Sequence, residues 1–600
     1  MISTTEVLAQ HFPSLNQKPK RRGMVHWLLG KVLYENEFQA FSEQHPQLKG
    51  LAFIEQAFSE LNVSYQVSER DRERIPTHGK VVIVANHPIG SLDGLALLLL
   101  VGKLRQDVKI VANEILSALD PLSGLLLPVN NMSGNSRRSQ LTAIGQHLEL
   151  GGAVIIFPAG EVSRLKGITV QDGRWSKGFL NIATKAKAPI LPICVRAKNS
   201  KLFYLASTLY KPLSTLLLVR EIFTHRNKML NLRVGELIPV RSFANTGLDD
   251  RNTQAKLMRK HLYRIGKKRS GLFQTEAAIA HPVSRQALRQ VVKSLEPLGM
   301  TPDGKQIYLS RHNHSELLLA ELGRLREIAF RAVGEGTGLR SDTDRFDADY
   351  MHLLLWDDDD LEVAGAYRFA DSCAQVEKHG LNGLYSHSLF NYSTESEDFI
   401  SQGLELGRSF VQPRYWGKRS LDYLWIGIGA FLAKNPQYRY LFGPVSISGA
   451  MPEAARDLLI HFYQSYFPPK VQFAHSRQPY QLAEQLEQGL QFSFKGDDYK
   501  QEFSQLKSAL ASMGTAVPTL YKQYTELCKP GGVQFIDFNV DPDFNQCIDG
   551  LVLVDMLRLK DKKRKRYIAA HNELLADSEG RTVAESTGIS PKKQTPETAA

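Results

Sequence analysis

Long apolar runs, cysteine pairs and a leader-like N-terminus are missing from this 600-residue chain. No uncharged apolar run reaches the roughly 18–20 residues that a membrane-spanning helix needs, so we expect no transmembrane segment. The four cysteines are widely spaced and form no C-x-x-C pair, which predicts reduced thiols in the cytosol and gives no indication of a metal site. The basic residues 18–22 precede an apolar stretch that His26, Lys31 and Glu35 interrupt, unlike a signal peptide.

The charge balance is strongly one-sided, with a formal net charge of +12. Anionic lipid, an acidic carrier protein and nucleic acid are the three partners that such a charge favours. Nucleic acid ranks lowest because the chain shows no zinc-type cysteine pair, no stacked aromatic-basic motif and no RNA-binding signature. The sequence therefore predicts a peripheral protein that meets an anionic membrane surface or an acidic carrier and binds no nucleic acid.

The length and the strand pattern predict two α/β domains. We expect an N-terminal domain over 1–275, a linker over 276–304, a C-terminal domain over 305–572 and a disordered polar tail over 573–600. The domains are defined by short apolar runs separated by helical stretches. We expect strands at 81–85, 108–112, 153–157 and 189–195 in the first domain, and at 352–356, 363–369 and 440–446 in the second.

One motif of the first domain, N-H-P-I-G-S-L-D-G, places a histidine and a carboxylate in a turn directly after a predicted strand. Proline fixes the backbone of this turn and glycine relaxes it, so His87 and Asp93 can meet across the turn. A histidine oriented by an acid is suited to take a proton from a hydroxyl group. The alternative is a histidine that caps the next helix while Asp93 faces solvent.

A second block, F-P-A-G-E-V-S-R at 157–164, follows about seventy residues later. With this block, the region from about 75 to 235 resembles the glycerolipid acyltransferases, and its departures from their motifs resemble the hemolysin-related and ornithine-lipid O-acyltransferase branch. The resemblance implies that His87 deprotonates an acceptor hydroxyl while Asp93 fixes its tautomer. It also implies that Gly160, Glu161 and Arg164 shape the acceptor site, with Arg164 binding a carboxylate or phosphate.

The second domain carries a different series of short motifs. They are L-R-E-I-A-F at 325–330, D-R-F-D at 344–347, G-A-Y-R at 365–368, E-L-G-R-S at 405–409 and L-F-G-P-V-S at 441–446. In this order they resemble the ornithine N-acyltransferases and acyl-homoserine-lactone synthases, a GNAT-like α+β branch.

The GNAT resemblance implies roles for five charged residues. Glu405 is the candidate base that takes the amine's proton, directly or through water. Arg368 and Arg408 are candidates for binding phosphopantetheine or a carboxylate, and Asp344 and Asp347 for binding a side-chain ammonium. The alternatives are ordinary: a helical ion pair of Glu405 with Arg408, and a solvated loop for the aspartates.

Both halves together resemble the bifunctional ornithine lipid synthases of bacteria. The resemblance implies that the C-terminal domain transfers a 3-hydroxyacyl group from acyl carrier protein to ornithine, giving lyso-ornithine lipid, which the N-terminal domain then O-acylates. The donor is a phosphopantetheine thioester and no other cofactor or metal is expected, with the enzyme on the cytoplasmic face of the inner membrane. Two alternatives stay open: acylation of another amino-acid or glycerophospholipid acceptor, and a hemolysin-like membrane-active protein.

Overall fold

The computed structural model describes residues 35–113, 120–129, 134–166, 169–209, 211–244, 250–311, 313–482, 494 and 498–569. The chain divides between His281 and Pro282 into two compact units, here called unit 1 and unit 2. The predicted linker over 276–304 is largely a part of unit 2, because it contains a helix and a strand that joins the unit 2 sheet. The predicted disordered tail lies outside the described residues.

Unit 1 is built on a seven-stranded sheet in the order β1-β9-β8-β2-β5-β3-β4, in which all neighbours are parallel except β8 and β9. A hairpin of β6 and β7 stands apart from it. In chain order the strands are β1 (Ser64–Gln66), β2 (Val81–Ala85), β3 (Val108–Asn113), β4 (Leu126–Val129), β5 (Ala153–Ile156), β6 (Arg164–Lys166), β7 (Thr169–Gln171), β8 (Ile190–Arg196) and β9 (Met229–Val234).

Helices cover both faces of this sheet, which explains why every residue of β2 and β5 is buried and apolar. The four strands that the sequence predicts in this half are confirmed, with ends shifted by one residue at most. The helices are α1 (Glu35–Gln44), α2 (Gly50–Glu60), α3 (Glu69–Arg72), α4 (Ser91–Gly102), α5 (Gly134–Glu149), α6 (Gly178–Ala186), α7 (Lys201–Leu209), α8 (Lys211–Thr224), α9 (Arg241–Ala244) and α10 (Arg251–Gly266).

The order of these strands positions the unit 1 site. β2 and β5 are parallel neighbours, so both run towards the same edge of the sheet. The loop after β2 carries the histidine motif, and the loop after β5 carries the second predicted block. Two motifs about seventy residues apart in sequence therefore meet at the carboxyl ends of adjacent strands, where α/β folds commonly place ligands.

Unit 2 is built on an eight-stranded sheet in the order β10-β11-β12-β13-β15-β16-β19-β18. Neighbours are antiparallel except β15 and β16, which run parallel, and β14 pairs with β17 in a small separate sheet. The strands are β10 (Glu296–Met300), β11 (Gln306–Ser310), β12 (Met351–Asp357), β13 (Glu362–Asp371), β14 (Phe390–Tyr392), β15 (Gly403–Val411), β16 (Tyr440–Ile447), β17 (Ala474–Ser476), β18 (Val533–Asp541) and β19 (Cys547–Asp555).

The three strands that the sequence predicts in this half are also confirmed. Within the described part of the chain, no helix is both long enough and apolar enough to cross a membrane. The unit 2 helices are α11 (Arg285–Lys293), α12 (Glu316–Val333), α13 (Ser372–His379), α14 (Glu397–Ser401), α15 (Ser420–Lys434), α16 (Glu453–Tyr466), α17 (Tyr499–Ser512), α18 (Thr519–Thr525) and α19 (Asp561–Arg564).

The parallel strands β15 and β16 separate part-way along their length. They pair from Gly403 opposite Tyr440 to Glu405 opposite Phe442, and their register ends there. The next residue, Gly443, has φ +152, and a Cβ atom at this position would lie 2.0 Å from the carbonyl oxygen of Leu406. A side chain is excluded at this point, so glycine is required where the strands diverge and a cleft opens between them.

Candidate active sites

The loop after β2 is fixed at its first residue. The buried side-chain amide of Asn86 donates to the carbonyl of Val195 and accepts from its N–H, both at 2.8 Å. These two bonds tie the loop to the neighbouring strand β8 and satisfy backbone groups at the strand end. His87 therefore leaves the sheet in a defined direction.

His87 and Asp93 lie together, as the sequence predicts. Nδ1 of His87 is 3.2 Å from Oδ2 of Asp93, and the Asp93 side chain is fully buried. The same Asp93 oxygen accepts the N–H groups of Ile89 and Gly90 at 2.8 and 3.1 Å, which holds the carboxylate in place. Since Asp93 is buried, the alternative in which it faces solvent does not apply.

The imidazole of His87 remains accessible. Its side chain is 19% exposed, and the ring stacks on Phe157 with centroids 4.1 Å apart. Because Nδ1 faces Asp93, Nε2 is the nitrogen left to take a proton from a substrate. The arrangement therefore suits general-base chemistry on a hydroxyl group.

Asp172 organises the unit 1 site, and sequence reasoning missed it. This fully buried carboxylate accepts the N–H of His87 at 3.2 Å and the indole N–H of Trp175 at 2.8 Å, and it also accepts the hydroxyl of Ser163. It joins the loop after β2 to the loop after β5. No local motif marks Asp172, because its partner His87 lies 85 residues away in sequence.

The second predicted block lies beside the histidine loop. The N–H of Ser163 donates to the carbonyl of His87 at 2.7 Å, and Gly160 adopts a left-handed φ of +66. Nη2 of Arg164 lies 3.9 Å from Oε2 of the exposed Glu161, and its guanidinium stacks over Phe203 at 5.8 Å. The structure places Gly160, Glu161 and Arg164 on the loop and strand that border His87. This position is compatible with their predicted roles in acceptor binding, which stay predictions.

Unit 2 holds an alternating set of charges that we call the arginine–aspartate network. Nη1 of Arg326 lies 2.6 Å and Nη1 of Arg368 lies 2.9 Å from Oδ1 of Asp347. Arg368 also donates through Nη2 to Asp344 at 2.9 Å. Burial by itself raises the pKa of Asp347, but Arg326 and Arg368 outweigh it and hold this pKa well below its ordinary value.

Arg408 extends this network towards the cleft between β15 and β16. Its Nε lies 3.1 Å from Oδ2 of Asp342 and its Nη2 3.2 Å from Oδ2 of Asp344. The residue has φ +47 and lies where the β13–β15 register shifts, which turns its side chain out of the strand pattern. Such a strained backbone conformation is common at functional sites.

This geometry pairs three of the predicted substrate-binding residues with one another, and their roles stay predictions. Arg368 is fully buried, and Asp344 and Asp347 share the arginines of the network, so none of the three has its charge free for a substrate. The carboxylates of Asp344 and Asp347 are already paired with arginines, so neither is left to bind a substrate ammonium. Of the predicted pair of substrate arginines, Arg408 lines the cleft, and its guanidinium lies over Tyr385 at 4.6 Å and Phe544 at 4.4 Å.

Glu405 is enclosed rather than open to an amine. It lies on strand β15, so a helical ion pair with Arg408 is excluded. Its carboxylate accepts the hydroxyls of Tyr350 and Ser386, the N–H of Ser386 at 2.7 Å and the N–H of Tyr385 at 3.1 Å. Burial raises its pKa, and these hydrogen bonds oppose that rise. Its predicted role as base thus requires one of these partners to relay the proton.

The cleft between β15 and β16 mixes aromatic, aliphatic and charged side chains. Ser446 lines the cleft and donates to Glu335 at 2.7 Å. The residues that line the cleft lie between the two diverging strands and the elements that cap them. They are Phe330, Glu335, Tyr367, Tyr385, Leu406, Gly407, Arg408, Ser409, Pro444, Val445, Ser446, Leu520, Tyr524, Phe544, Cys547 and Asp549.

The carboxylates of this cleft, Glu335 and Asp549, were not found from the sequence. Burial raises the pKa of Asp549 to about 8, helped by the neighbouring charges of Asp541 and Glu335. Burial likewise raises the pKa of Glu335 to about 6. Perturbed carboxylates in a cleft are candidates for proton transfer or for binding a cation.

Comparison with known families agrees with this two-site architecture. A family model described as Acyltransferase matches residues 6–270, and a model described as Acetyltransferase (GNAT) domain matches residues 325–426. The protein is therefore an enzyme, an acyltransferase with an N-terminal acyltransferase domain and a C-terminal GNAT domain. Two acyltransferase domains of different type in one chain support a bifunctional enzyme.

Similar curated proteins carry N- and O-acyltransferase activities separately. A glycine N(alpha)-acyltransferase of Bacteroides thetaiotaomicron is 29% identical over 53% of this chain and 98% of its own length. A lyso-glycine lipid O-acyltransferase of Phocaeicola vulgatus is 28% identical over 36% of this chain and 80% of its own. An L-ornithine N(alpha)-acyltransferase of Brucella abortus is 31% identical over 25% of this chain and 59% of its own.

Proposed function

We propose that this protein makes a diacylated amino-acid lipid in two steps. Unit 2 N-acylates an amino acid with a 3-hydroxyacyl group, and unit 1 then esterifies the new 3-hydroxyl with a second acyl chain. The observation that carries the proposal is the union of two acyltransferase domains whose relatives perform an amino-acid N-acylation and a lyso-lipid O-acylation as separate proteins. The first product is the only substrate the second step needs besides an acyl donor.

The unit 1 geometry fits the O-acylation. With Nδ1 of His87 held beside Asp93, Nε2 accepts the proton of the 3-hydroxyl as its oxygen attacks an acyl thioester carbonyl. The buried carboxylate stabilises the imidazolium that forms. The guanidinium of Arg164 suits the carboxylate of a lyso-aminolipid.

We propose acyl carrier protein as the donor, through its phosphopantetheine thioester. The inner edges of β15 and β16 are not paired with each other beyond Glu405 and Phe442, so their backbone groups can bind the amides of an extended pantetheine chain. The net charge of +12 favours encounter with an acidic carrier.

Ornithine is our first candidate for the acceptor. The unit 2 cleft contains more carboxylates than the single ammonium group of glycine can pair with, whereas ornithine has two ammonium groups. Glycine is the second candidate, because the glycine N(alpha)-acyltransferase aligns over 98% of its length and the ornithine enzyme over 59%.

A membrane-surface location fits helix α7, which begins beside the unit 1 site. Phe203 is buried and lies against Arg164, while Leu202 and Leu205 on the same helix are 45% and 61% exposed. Lys201 is exposed next to them. Exposed leucines beside a cation suit the headgroup region of an anionic membrane, so we place the enzyme at the cytoplasmic membrane surface.

Expression in a bacterium that lacks aminolipids tests the proposal, with lipid analysis by mass spectrometry. We expect a diacylated ornithine lipid from the parent protein and its monoacylated form from His87→Ala. A diacylated glycine lipid would move the assignment to the second candidate. Absence of any aminolipid, with cell lysis that His87→Ala leaves unchanged, would support a membrane-active protein and reject the proposal.

A further inference from the structure

Two carboxylates, Glu335 and Asp549, line the unit 2 cleft, and Asp541 lies beside Asp549; we call these three residues the carboxylate cluster. Asp541 on β18 pairs with Cys547 on β19, and Asp549 lies two residues after Cys547. The side chains of Asp541, Cys547 and Asp549 therefore project from one face of the sheet. The carboxylate oxygens of Asp541 and Asp549 and the Cys547 sulfur lie within 4.8 Å of one another. Glu335 joins them through Ser446, which lies opposite Asp549 in the register.

No described cation pairs directly with the carboxylate cluster, although the charge of Arg408 acts on Asp541 and Asp549. Among the described residues, no Lys, Arg or His lies within 4.0 Å of a carboxylate oxygen of Glu335, Asp541 or Asp549. The nearest guanidinium that lines the cleft, Arg408, is already shared between Asp342 and Asp344. Buried carboxylates without a cation are costly to keep in a fold, so their presence in a cleft indicates a cationic ligand.

Asp549 points to that ligand most directly. It is 6% exposed and lines the cleft, and its carboxylate accepts a weak hydrogen bond from the Cys547 thiol at 3.8 Å. Its remaining lone pairs accept no N–H or O–H group from the described residues. A charged ammonium group, with three N–H donors, supplies what this carboxylate lacks.

We propose that the carboxylate cluster binds the ammonium groups of the amino-acid acceptor and that Asp549 takes the proton from the amine that is acylated. The inference rests on the N-acylation proposed above and deepens it, because it names a site and an acceptor class, a diamino acid. Glu335 and Asp541 then bind the second ammonium. A metal ion is a poorer fit, because burial raises the pKa of the Cys547 thiol far above neutrality and keeps it protonated.

The chemical step balances with an acyl thioester as the second substrate. Asp549 accepts one proton from the ammonium, which frees a nitrogen lone pair. The nitrogen attacks the thioester carbonyl, the C–N bond forms, and the C–S bond breaks with its electron pair on sulfur. The second nitrogen proton passes to that sulfur to give a thiol, and the proton on Asp549 returns to solvent.

The pH dependence of this step follows from the groups around Asp549. Glu335 and Asp541 disfavour its charged form and Arg408 favours it. Asp549 therefore becomes a base as the pH rises through about 8 in the free enzyme. The ionisable groups that face it come from β18, β19, the segment after α12, β15, the turn before β14 and α18: Asp541, Cys547, Glu335, Arg408, Tyr385 and Tyr521.

Steady-state N-acylation by the full chain tests the proposal, with 3-hydroxyacyl carrier protein and either ornithine or glycine. We expect Asp549→Asn to lower kcat/KM by about 100-fold with both amino acids and to remove part of the rise in kcat/KM with pH. Glu335→Gln is expected to raise the KM for ornithine about tenfold and to leave that for glycine nearly unchanged. Glu526→Gln, which removes an exposed carboxylate outside the cleft, serves as the control.

The possible outcomes separate the inference from the proposed function. A parent protein that acylates no amino acid rejects the proposed function. A parent that acylates ornithine while Asp549→Asn keeps its rate and pH profile rejects the carboxylate cluster as the acceptor site. Stabilisation of the parent by Zn²⁺, absent in Asp549→Asn, would overturn the inference in favour of a metal site.

Discussion

In unit 1 a single histidine stays 19% exposed beside one buried aspartate, whereas unit 2 encloses three arginines and three aspartates in one network behind its cleft. The difference follows from where the residues originate. The unit 1 pair spans the loop after β2 and the first turn of α4, so its geometry needs little support beyond this short segment and Asp172. The unit 2 network draws on a helix, a loop and two strands, and only complete mutual pairing makes its burial tolerable.

The largest expected effect tests the exposed site. His87→Ala removes the nitrogen that accepts the hydroxyl proton, so O-acylation of a supplied lyso-aminolipid should fall about 10³-fold, while N-acylation changes less than about twofold. Chromatography of the mono- and diacylated products measures both rates. His45→Ala changes a histidine outside the site and should behave like the parent. Equal loss of both activities would show that the two sites are not separate in this way.

The second prediction tests the enclosed site. Arg368→Met leaves Asp344 and Asp347 with one buried partner fewer, so unit 2 should lose about 3 kcal/mol of stability. Thermal unfolding followed by calorimetry measures the loss in the unit 2 transition. A change below about 0.5 kcal/mol would mean that the network does not depend on complete pairing.

The third prediction uses the raised pKa of Asp549. Its ordinary value of 3.8 rises to about 8 in the folded protein, so over this range the folded carboxyl holds a proton that the unfolded chain has released. Stability therefore falls as the pH rises from about 4 to 8 and then levels off. Asp549→Asn should be more stable than the parent by about 2 kcal/mol at pH 8, with the gap closing towards pH 5. A stability difference between Asp549→Asn and the parent that does not change with pH would contradict the raised pKa of Asp549.

The smallest effect again concerns unit 1. Arg164 is partly exposed and its Nη2 lies 3.9 Å from Oε2 of the exposed Glu161, so Arg164→Met should change stability by less than about 1 kcal/mol. It should nevertheless raise the KM for a carboxylate-bearing lyso-lipid, measured by O-acylation at varied acceptor concentration. An unchanged KM would remove Arg164 from the acceptor site.

Much of the fold could be predicted from the sequence, because the buried strands are short apolar runs with clear ends. The pair His87 and Asp93 could also be predicted, since proline and glycine shape the turn between them. The structure divides the chain after His281, and the sequence places the end of the first domain at residue 275. Residues 285–300 have the polar, mixed composition of a linker, yet they form α11 and β10, and β10 adds to the unit 2 sheet at its edge.

In unit 2 the sequence predicted which charged residues come together, whereas their functional roles stay predictions. The motifs that contain Asp344, Arg368, Glu405 and Arg408 do converge, but a sequence pattern cannot show whether a charge is free or already paired. Glu405 is enclosed by Tyr350 and Ser386, which come from other parts of the chain. Asp549 is not among the residues to which the sequence assigned a role.

Local sequence was sufficient to define two α/β domains, the buried strands and the histidine turn, because each depends on residues that are neighbours along the chain. The packing of distant strands decided the rest. It brought the loops after β2 and β5 to one sheet edge, opened the cleft at Gly443 and set Glu335, Asp541 and Asp549 together. Burial and charge pairing depend on every element that surrounds a group, so they were fixed only when the chain had folded.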